Sequence, residues 1–386
     1  MASLTATVFR IPDEITEHTL TLLHPIDIAN FSQTCHSAYT LVYGAPDQYL
    51  WHQLFLAYPF DNPINTLNYQ NTNTSYNWRN ALQRRVQAEL IASNIVHRLE
   101  EQQFALETFI SVIGDASPPL EHKEASESIK WVIHILHGSR ILDAHVTLPS
   151  PTDIQLISCI RTYLALSFEE ANNDEAIAHF NALRTRSQCL VYNIRNYRRD
   201  NNYGPFLRGG QINWVQAEAI INVMQPNLME LNNLWIDTRP PYSSDSHSSH
   251  NPSFFNDPNI QESTRLKELK LHLVPVSSTL HDYVSVSPRN SLRSPRFPNL
   301  YFLGISKGTE GDEATVKGSV SMGNDRVVRW RFVSLISHFI SEGIQIGNVG
   351  SAAGIIGSWT GATHDHGPFW LWKVPDDHPS HISDPN

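Results

Sequence analysis

Between residues 8 and 58 the apolar positions return every three or four residues and are interrupted by prolines, a pattern that predicts a run of short helices. Pro12, followed by Asp13 and Glu14, opens the first. A proline at the first helical position gives up no N–H that the helix needs, and the acids suit the positive end of its dipole. Ile15, Leu22 and Leu23 share one face before Pro25 stops the run. Asp27 is placed to cap a second helix with Ile28, Phe31, Cys35, Ala38, Tyr39 and Val42 on its apolar face, ended by Gly44 and Pro46. Asp47 opens a third, carrying Leu50, Trp51, Leu54, Phe55 and Tyr58. Three short helices enclose little interior of their own, which implies a partner.

After a polar stretch from Asn62 to Asn77, the pattern is helical again from Trp78 to about Trp235, with segments near 78–99, 101–113, 124–137, 152–168, 174–198 and 212–224. No fixed repeat period runs through them. Residues 237–263 are rich in Ser, Pro, Asn and Asp and read as a linker. Beyond it the period changes from helical to alternating. Leu269, Leu271 and Leu273 alternate with Lys270 and His272 as in a strand, and Thr315–Met322 and Val327–Leu335 flank a hairpin turn at Gly323-Asn324-Asp325. On the second arm Val328, Trp330 and Phe332 make one side apolar, while Arg329 and Arg331 make the other basic. Gly343–Gly347, Gly354–Gly361 and Phe369–Lys373 read as further strands. The fold class expected is α+β, with amino-terminal helices, a helical middle, and an antiparallel sheet or small barrel at the carboxyl end. The expected divisions are 8–58, 78–236, the linker at 237–263, and 264–375.

Composition narrows the function classes. Of 386 residues only 17% are charged, and the net charge is −10 with a pI near 6.0. A nucleic-acid binder needs a basic face, so none is expected as a partner. No stretch reaches the roughly 18 apolar residues of a membrane span, and the first residues lack a basic segment leading into an apolar one, so neither membrane nor signal peptide is expected. Three cysteines, Cys35, Cys159 and Cys189, suit a reducing intracellular compartment and build neither a disulfide framework nor a closed zinc site. The mild acidity is uneven. Up to Pro63 one basic residue, Arg10, stands against six acids for a net of −5; from Thr264 to Leu300 six basic residues stand against two acids for a net of +4.

Candidate chemistry is sparse. No phosphate-binding loop, HExxH helix, GxSxG elbow or kinase signature is present. Gly347, Gly350, Gly354, Gly357 and Gly361 resemble a phosphate cradle only in density, and they read as glycines that let strands bend or approach closely. His364-Asp365-His366 reads as a loop, and no metal or other cofactor is expected. Arg184, Arg186, Arg195, Arg198 and Arg199 either grip an acidic or phosphorylated peptide or complement the end of a helix. Trp359, Phe369, Trp370 and Trp372 either pack the interior of a small sheet or line a recognition groove; the groove makes them the candidate substrate-binding residues. No catalytic residue is assigned.

The amino-terminal residues resemble the F-box, the module by which substrate receptors join Skp–cullin–F-box ubiquitin ligases. Ile11-Pro12, Glu14-Ile15, Leu20, Leu23, Asp27-Ile28 and Phe31-Ser32-Gln33-Thr34-Cys35 stand at the family's positions in order. Ile11 replaces the usual Leu, and Thr19 and His36 also depart from the pattern. The whole chain is similar to a group of fungal F-box proteins in Asp47–Pro59, in Glu342–Gly354 and in Gly367–Lys373. The segment around Trp359-Thr360-Gly361 is similar to calycin-type barrels.

The resemblance implies a non-catalytic receptor that docks on the Skp adaptor, and through it a cullin, by Ile11, Pro12, Ile15, Leu20, Leu23, Ile28, Phe31 and Cys35. It implies an unknown protein substrate held beyond the F-box, in the cytoplasm or nucleus. A small-ligand carrier or sensor built on a carboxyl-terminal barrel is the alternative reading.

Overall fold

The structure is a computed structural model, and it describes residues 11–45, 47–63, 76–94, 98–116, 126–142, 150–164, 174–231, 267–275, 297–308, 312–334, 339–351, 353–361 and 365–374. The chain divides into two compact units, Met1–Asp153 and Ile154–Asn386. The division falls inside the helical stretch, so its helices up to Gly138 belong to the first unit and those from Asp174 onward to the second. The Ser/Pro-rich linker expected at 237–263 lies outside the described residues, as does His364.

The first unit opens with four short helices, α1 (Asp13–Leu20), α2 (Pro25–Ser32), α3 (His36–Tyr43) and α4 (Tyr49–Ala57). The long second helix expected from the pattern is two. Thr34 Oγ1 donates to the carbonyl of Phe31 at 2.7 Å, and Cys35 adopts extended backbone before capping α3. Side chains that bond their own backbone end helices in this way.

Leu20, Ile28, Ala38, Val42, Leu50, Trp51, Leu54 and Phe55 form the interior, and Trp51 Nε1 donates to the carbonyl of Val42 at 3.1 Å. That interior continues into α5 (Trp78–Ser93), α6 (Leu99–Gly114) and α7 (Glu127–Gly138). Phe55 meets Phe60 and Trp78 with ring centres 5.1 and 5.2 Å apart, and Phe60 meets Trp131 edge-on at 5.1 Å. Arg85, 5% exposed, lies over the rings of Phe55 and Phe60 at 4.6 and 4.4 Å, and burial lowers its pKa.

Asp61 ties the two halves of this unit. Its carboxylate accepts from Ser126 Oγ and from the backbone N–H of Glu127 (3.1 Å), while its own N–H donates to Ser128 Oγ (2.9 Å). A carboxylate at the amino end of α7 satisfies donors the helix leaves open and meets the positive end of its dipole.

In the second unit, α8 (Pro151–Leu164, which starts at the end of the first unit) leads to α9 (Asp174–Val191) and α10 (Trp214–Leu231). α10 packs on α9 and on two strands of a sheet. Ala217, Ala219, Ile220, Ile221 and Val223 are all buried, which accounts for a helix that is apolar on more than one face. α9 ends earlier than its pattern suggests: Arg195, Arg198 and Arg199 lie in or beside two single-turn 3₁₀ helices after Val191.

The sheet has seven antiparallel strands in chain order: β1 (Lys267–Val274), β2 (Leu300–Gly308), β3 (Glu313–Met322), β4 (Val328–Ser334), β5 (Ile340–Gln345), β6 (Ile355–Thr360) and β7 (His366–Leu371). It is open, with β1 and β7 as edges, and not a closed barrel. β2 is absent from the sequence reading because LYFLGISKG alternates poorly. The expected hairpin forms, with Arg329 holding Asp325 of the turn through two bonds of 2.7 and 2.8 Å.

The side of β4 expected to be basic is not a solvated face. Arg331 lies opposite Glu342 of β5 and pairs with it at 3.2 Å, and Glu342 is 8% exposed with its Cβ against Gly204. Burial pushes the Glu342 carboxyl up to about 8, against the opposing pull of Arg331.

Two predictions follow from these contacts. Asp61→Ala lowers the stability of the first unit by about 2–3 kcal/mol in urea unfolding followed by tryptophan fluorescence, because it removes a charged cap and strands Ser126. An unchanged midpoint would contradict the role given to Asp61. Between about pH 5 and pH 8 the folded chain keeps a proton on Glu342 that the unfolded chain releases, so this group's contribution is present at low pH and lost as pH rises through 8. The melting temperature of Glu342→Gln therefore depends less on pH over that window than the wild type's; equal slopes would refute it.

Candidate adaptor-binding surface

α2 and α3 each start at a side chain that fills one of the helix's open donors, and α1 starts on the carbonyl of Pro12. The backbone N–H groups of Ile15 and Thr16 donate to the carbonyl of Pro12. His24 Nδ1 accepts from the N–H of Ile26 at 3.3 Å, and Cys35 Sγ accepts from the N–H of Ala38 at 3.5 Å. Starts this close together leave short helices, and short helices bury only one side.

The opposite side is apolar and open to solvent. Within residues 11–26 five large apolar side chains are exposed: Ile11, Ile15, Leu22, Leu23 and Ile26. Ile15 is 56% exposed and Leu22 78%. Tyr39 and Tyr49 are exposed as well. Single exposed apolar residues are ordinary, whereas a set of them on so small a module marks a contact surface.

The eight residues expected to meet the adaptor divide by burial. Ile11, Pro12, Ile15, Leu23 and Cys35 are exposed and Phe31 is half-buried, while Leu20 and Ile28 are interior. The last two hold the module together, and only the others are open to a partner. Leu22 and Ile26 join the exposed set, Leu22 in the turn between α1 and α2 and Ile26 in the first turn of α2. Acids surround the set, and Glu17 is raised in pKa by burial, then by Asp47, Asp13 and Glu14.

The module is fixed to its own unit at a second place. Gln48 beside α4 donates through Nε2 to the carbonyl of Tyr76 at 3.3 Å, and its Oε1 accepts from the N–H of Arg79 at 3.2 Å. His52 packs on Trp78 with ring centres 4.3 Å apart, and Arg79 lies 5.5 Å from the Tyr43 ring centre.

The four aromatic residues expected to hold substrate do not converge. Residues opposite each other in an antiparallel pair lie on one face, and neighbours along a strand lie on opposite faces. Phe369 lies opposite Gly357, so it shares a face with Trp359; Trp370 lies opposite Ile356 and takes the other face with Trp372. The Phe369 ring covers Gly343 and Gly357, where any side chain would collide with it, and meets Phe332 edge-on at 6.2 Å. Trp359 packs on Phe339 at 5.1 Å. Trp370 donates to the carbonyl of Ala353 at 3.0 Å and packs on the α10 side. Only Trp372 is exposed.

Among the described residues no group of His, Cys, Asp and Glu is placed to hold a metal ion, and no helix is long and apolar enough to cross a membrane.

Residues 8–45 match the F-box domain family. No curated protein and no solved structure matches the chain. The match supports an F-box protein with a role as a Skp-binding subunit of ubiquitin ligases, a class of subunit that is generally non-catalytic.

The aromatic placement has a direct consequence. Phe369→Ala destabilises the second unit by about 2–3 kcal/mol, since it empties the space above two glycines, whereas Trp372→Ala changes stability by less than about 0.5 kcal/mol. Thermal unfolding of the two variants checks this; equal effects would count against the assignment.

Proposed function

We propose that the chain is the substrate receptor of a Skp–cullin–F-box ubiquitin ligase, with its first unit docked on the Skp adaptor and its second unit holding the protein to be modified. The observation that carries this reading is the exposed apolar set at residues 11–26 on a module that matches the F-box domain. Ile11, Pro12, Ile15, Leu22, Leu23, Ile26, Cys35 and half-buried Phe31 supply the docking contacts, and Leu20 and Ile28 act from beneath by fixing the helices that carry them. Burying such side chains against an apolar adaptor groove contributes roughly 25 cal/mol for each Å² removed from water.

The promoted reaction is ubiquitin transfer to a lysine of the bound protein, and the contribution of this chain is proximity. Tethering substrate and charged conjugating enzyme to one assembly turns an encounter in solution into an effectively intramolecular one, worth mM or higher local concentration. None of the chain's residues acts as nucleophile, acid or base. The connection of α4 to α5 and α7 through Gln48, Asp61 and the aromatic cluster of Phe55, Phe60, Trp78 and Trp131 makes the first unit one packed body around the docking helices. The cytosol or nucleus is the setting such an assembly requires.

Co-purification with the Skp adaptor tests the reading. Ile15→Asp and Leu23→Asp replace exposed side chains and leave the helical circular dichroism unchanged, yet each weakens adaptor binding at least about tenfold by placing a charge in a desolvated contact. Absence of wild-type binding, or binding indifferent to both substitutions, would overturn it.

A further inference from the structure

Three of the arginines that the sequence gathers near α9 lie past the helix end they could complement. α9 stops at Val191 with no basic residue in its last turn, and Arg195, Arg198 and Arg199 stand beyond it. From Arg184 to Arg208 six arginines meet one acid, Asp200, and no lysine, in a chain whose net charge is −10. Arg186, Arg195, Arg198, Arg199 and Arg208 are exposed. Arg208 reaches Asp200 at 3.7 Å, with both side chains largely open to water. Among the described residues Arg186, Arg195, Arg198 and Arg199 form no ion pair.

The loop that carries them is held from beneath. Buried Tyr197 donates its hydroxyl to the carbonyl of Val191 at 2.8 Å and lies on His366 of β7 with ring centres 4.1 Å apart. Asn193 Oδ1 accepts from the N–H of Arg195 at 3.0 Å, and Asn201 Oδ1 from that of Arg198 at 3.1 Å. Asn201 Nδ2 donates to the carbonyl of Asn196 at 2.6 Å. Further along, Arg329 of β4 donates to the carbonyl of Gly210 at 3.2 Å. Asn202 and Tyr203 both take left-handed backbone, with φ of 54° and 60°, which a bulky residue keeps only where its surroundings impose it. The asparagines of the loop are spent on its own backbone, whereas the exposed arginines have no such task.

We propose that this arginine loop is where the second unit takes its substrate, and that it takes an acidic stretch of a partner protein with apolar residues among the carboxylates. A guanidinium fork pairs with a carboxylate through two parallel bonds, which suits a surface built of arginine without lysine. Charges spread along the loop from Arg186 to Arg208 match several single carboxylates better than one concentrated dianion, and Asp200 among them repels a doubly charged phosphate. Leu190, Ile194 and Leu207 are exposed among the arginines and offer apolar contacts that the backbone of a nucleic acid does not use. This assignment rests on the receptor reading above and names the class of substrate that the receptor takes.

Fluorescence anisotropy on the full chain tests it, with a labelled peptide of about ten residues alternating Glu and Leu as the probe. The Glu/Leu peptide binds at least about tenfold tighter than a Gln/Leu peptide of the same length, and added salt narrows the difference. Arg198→Glu combined with Arg199→Glu weakens binding at least about tenfold and leaves the melting temperature unchanged, since both side chains are exposed and outside any ion pair. Arg195→Glu alone weakens binding about threefold or more and supplies the test should the double variant fold poorly. No binding of the Glu/Leu peptide, equal affinity for the two peptides, or indifference to the arginine variants would each overturn the proposal. So would tighter binding of a peptide carrying one phosphoserine and no Glu, or of a single-stranded oligonucleotide. Adaptor binding is measured on the same preparation. Adaptor binding without peptide binding refutes the arginine loop alone, and peptide binding without adaptor binding refutes only the receptor reading.

Discussion

A helical segment as short as residues 11–57 buries too little of itself to stand alone, and the first unit is arranged around that shortage. Phe55 and Phe60 supply the seam. They close the interior of α1–α4 on one side and meet Trp78 and Trp131 of α5 and α7 on the other, with the Arg85 guanidinium stacked against both rings. Asp61 fixes the register of that seam by capping α7. Because one side of the short helices is spent on this core, the other remains apolar and open, and that leftover surface is what an adaptor can cover.

The second unit solves a different problem. Its sheet is filled on one face by aromatic rings laid over glycines and on the other by α10 together with polar groups that must be satisfied in the interior. The Arg331–Glu342 pair is the clearest cost. Two ionisable groups are held away from water, and the carboxyl responds by keeping its proton to about pH 8.

Much of this was legible in the residues. Pro12, Pro25 and Gly44 mark helix limits because their backbone preferences act locally, and the Leu269–Leu273 alternation and the Gly323–Asp325 turn are equally local. The six exposed or half-buried residues of the expected adaptor set, and the two interior ones, were identified together by motif; their burial separates them, and burial depends on neighbours that spacing does not reveal. Leu22 stands on the expected apolar face with Ile15 and Leu23 but outside the motif, and Ile26 stands outside both, because spacing does not show which apolar side chains the fold leaves uncovered. The four aromatic residues near the carboxyl end look like a cluster in sequence but alternate across a strand pair, so they fall on both faces. Arg331 reads as a surface cation until its register opposite Glu342 is known. In each case the missing information is a contact between residues far apart in the chain.

Hydrogen–deuterium exchange of the full chain with and without the Skp adaptor addresses the central claim most directly. Adaptor binding is expected to slow exchange across α1–α3, from Asp13 to Tyr43, and to leave β1, from Lys267 to Val274, unchanged. Unaltered exchange across α1–α3 at saturating adaptor, or protection confined to the second unit, would contradict the account.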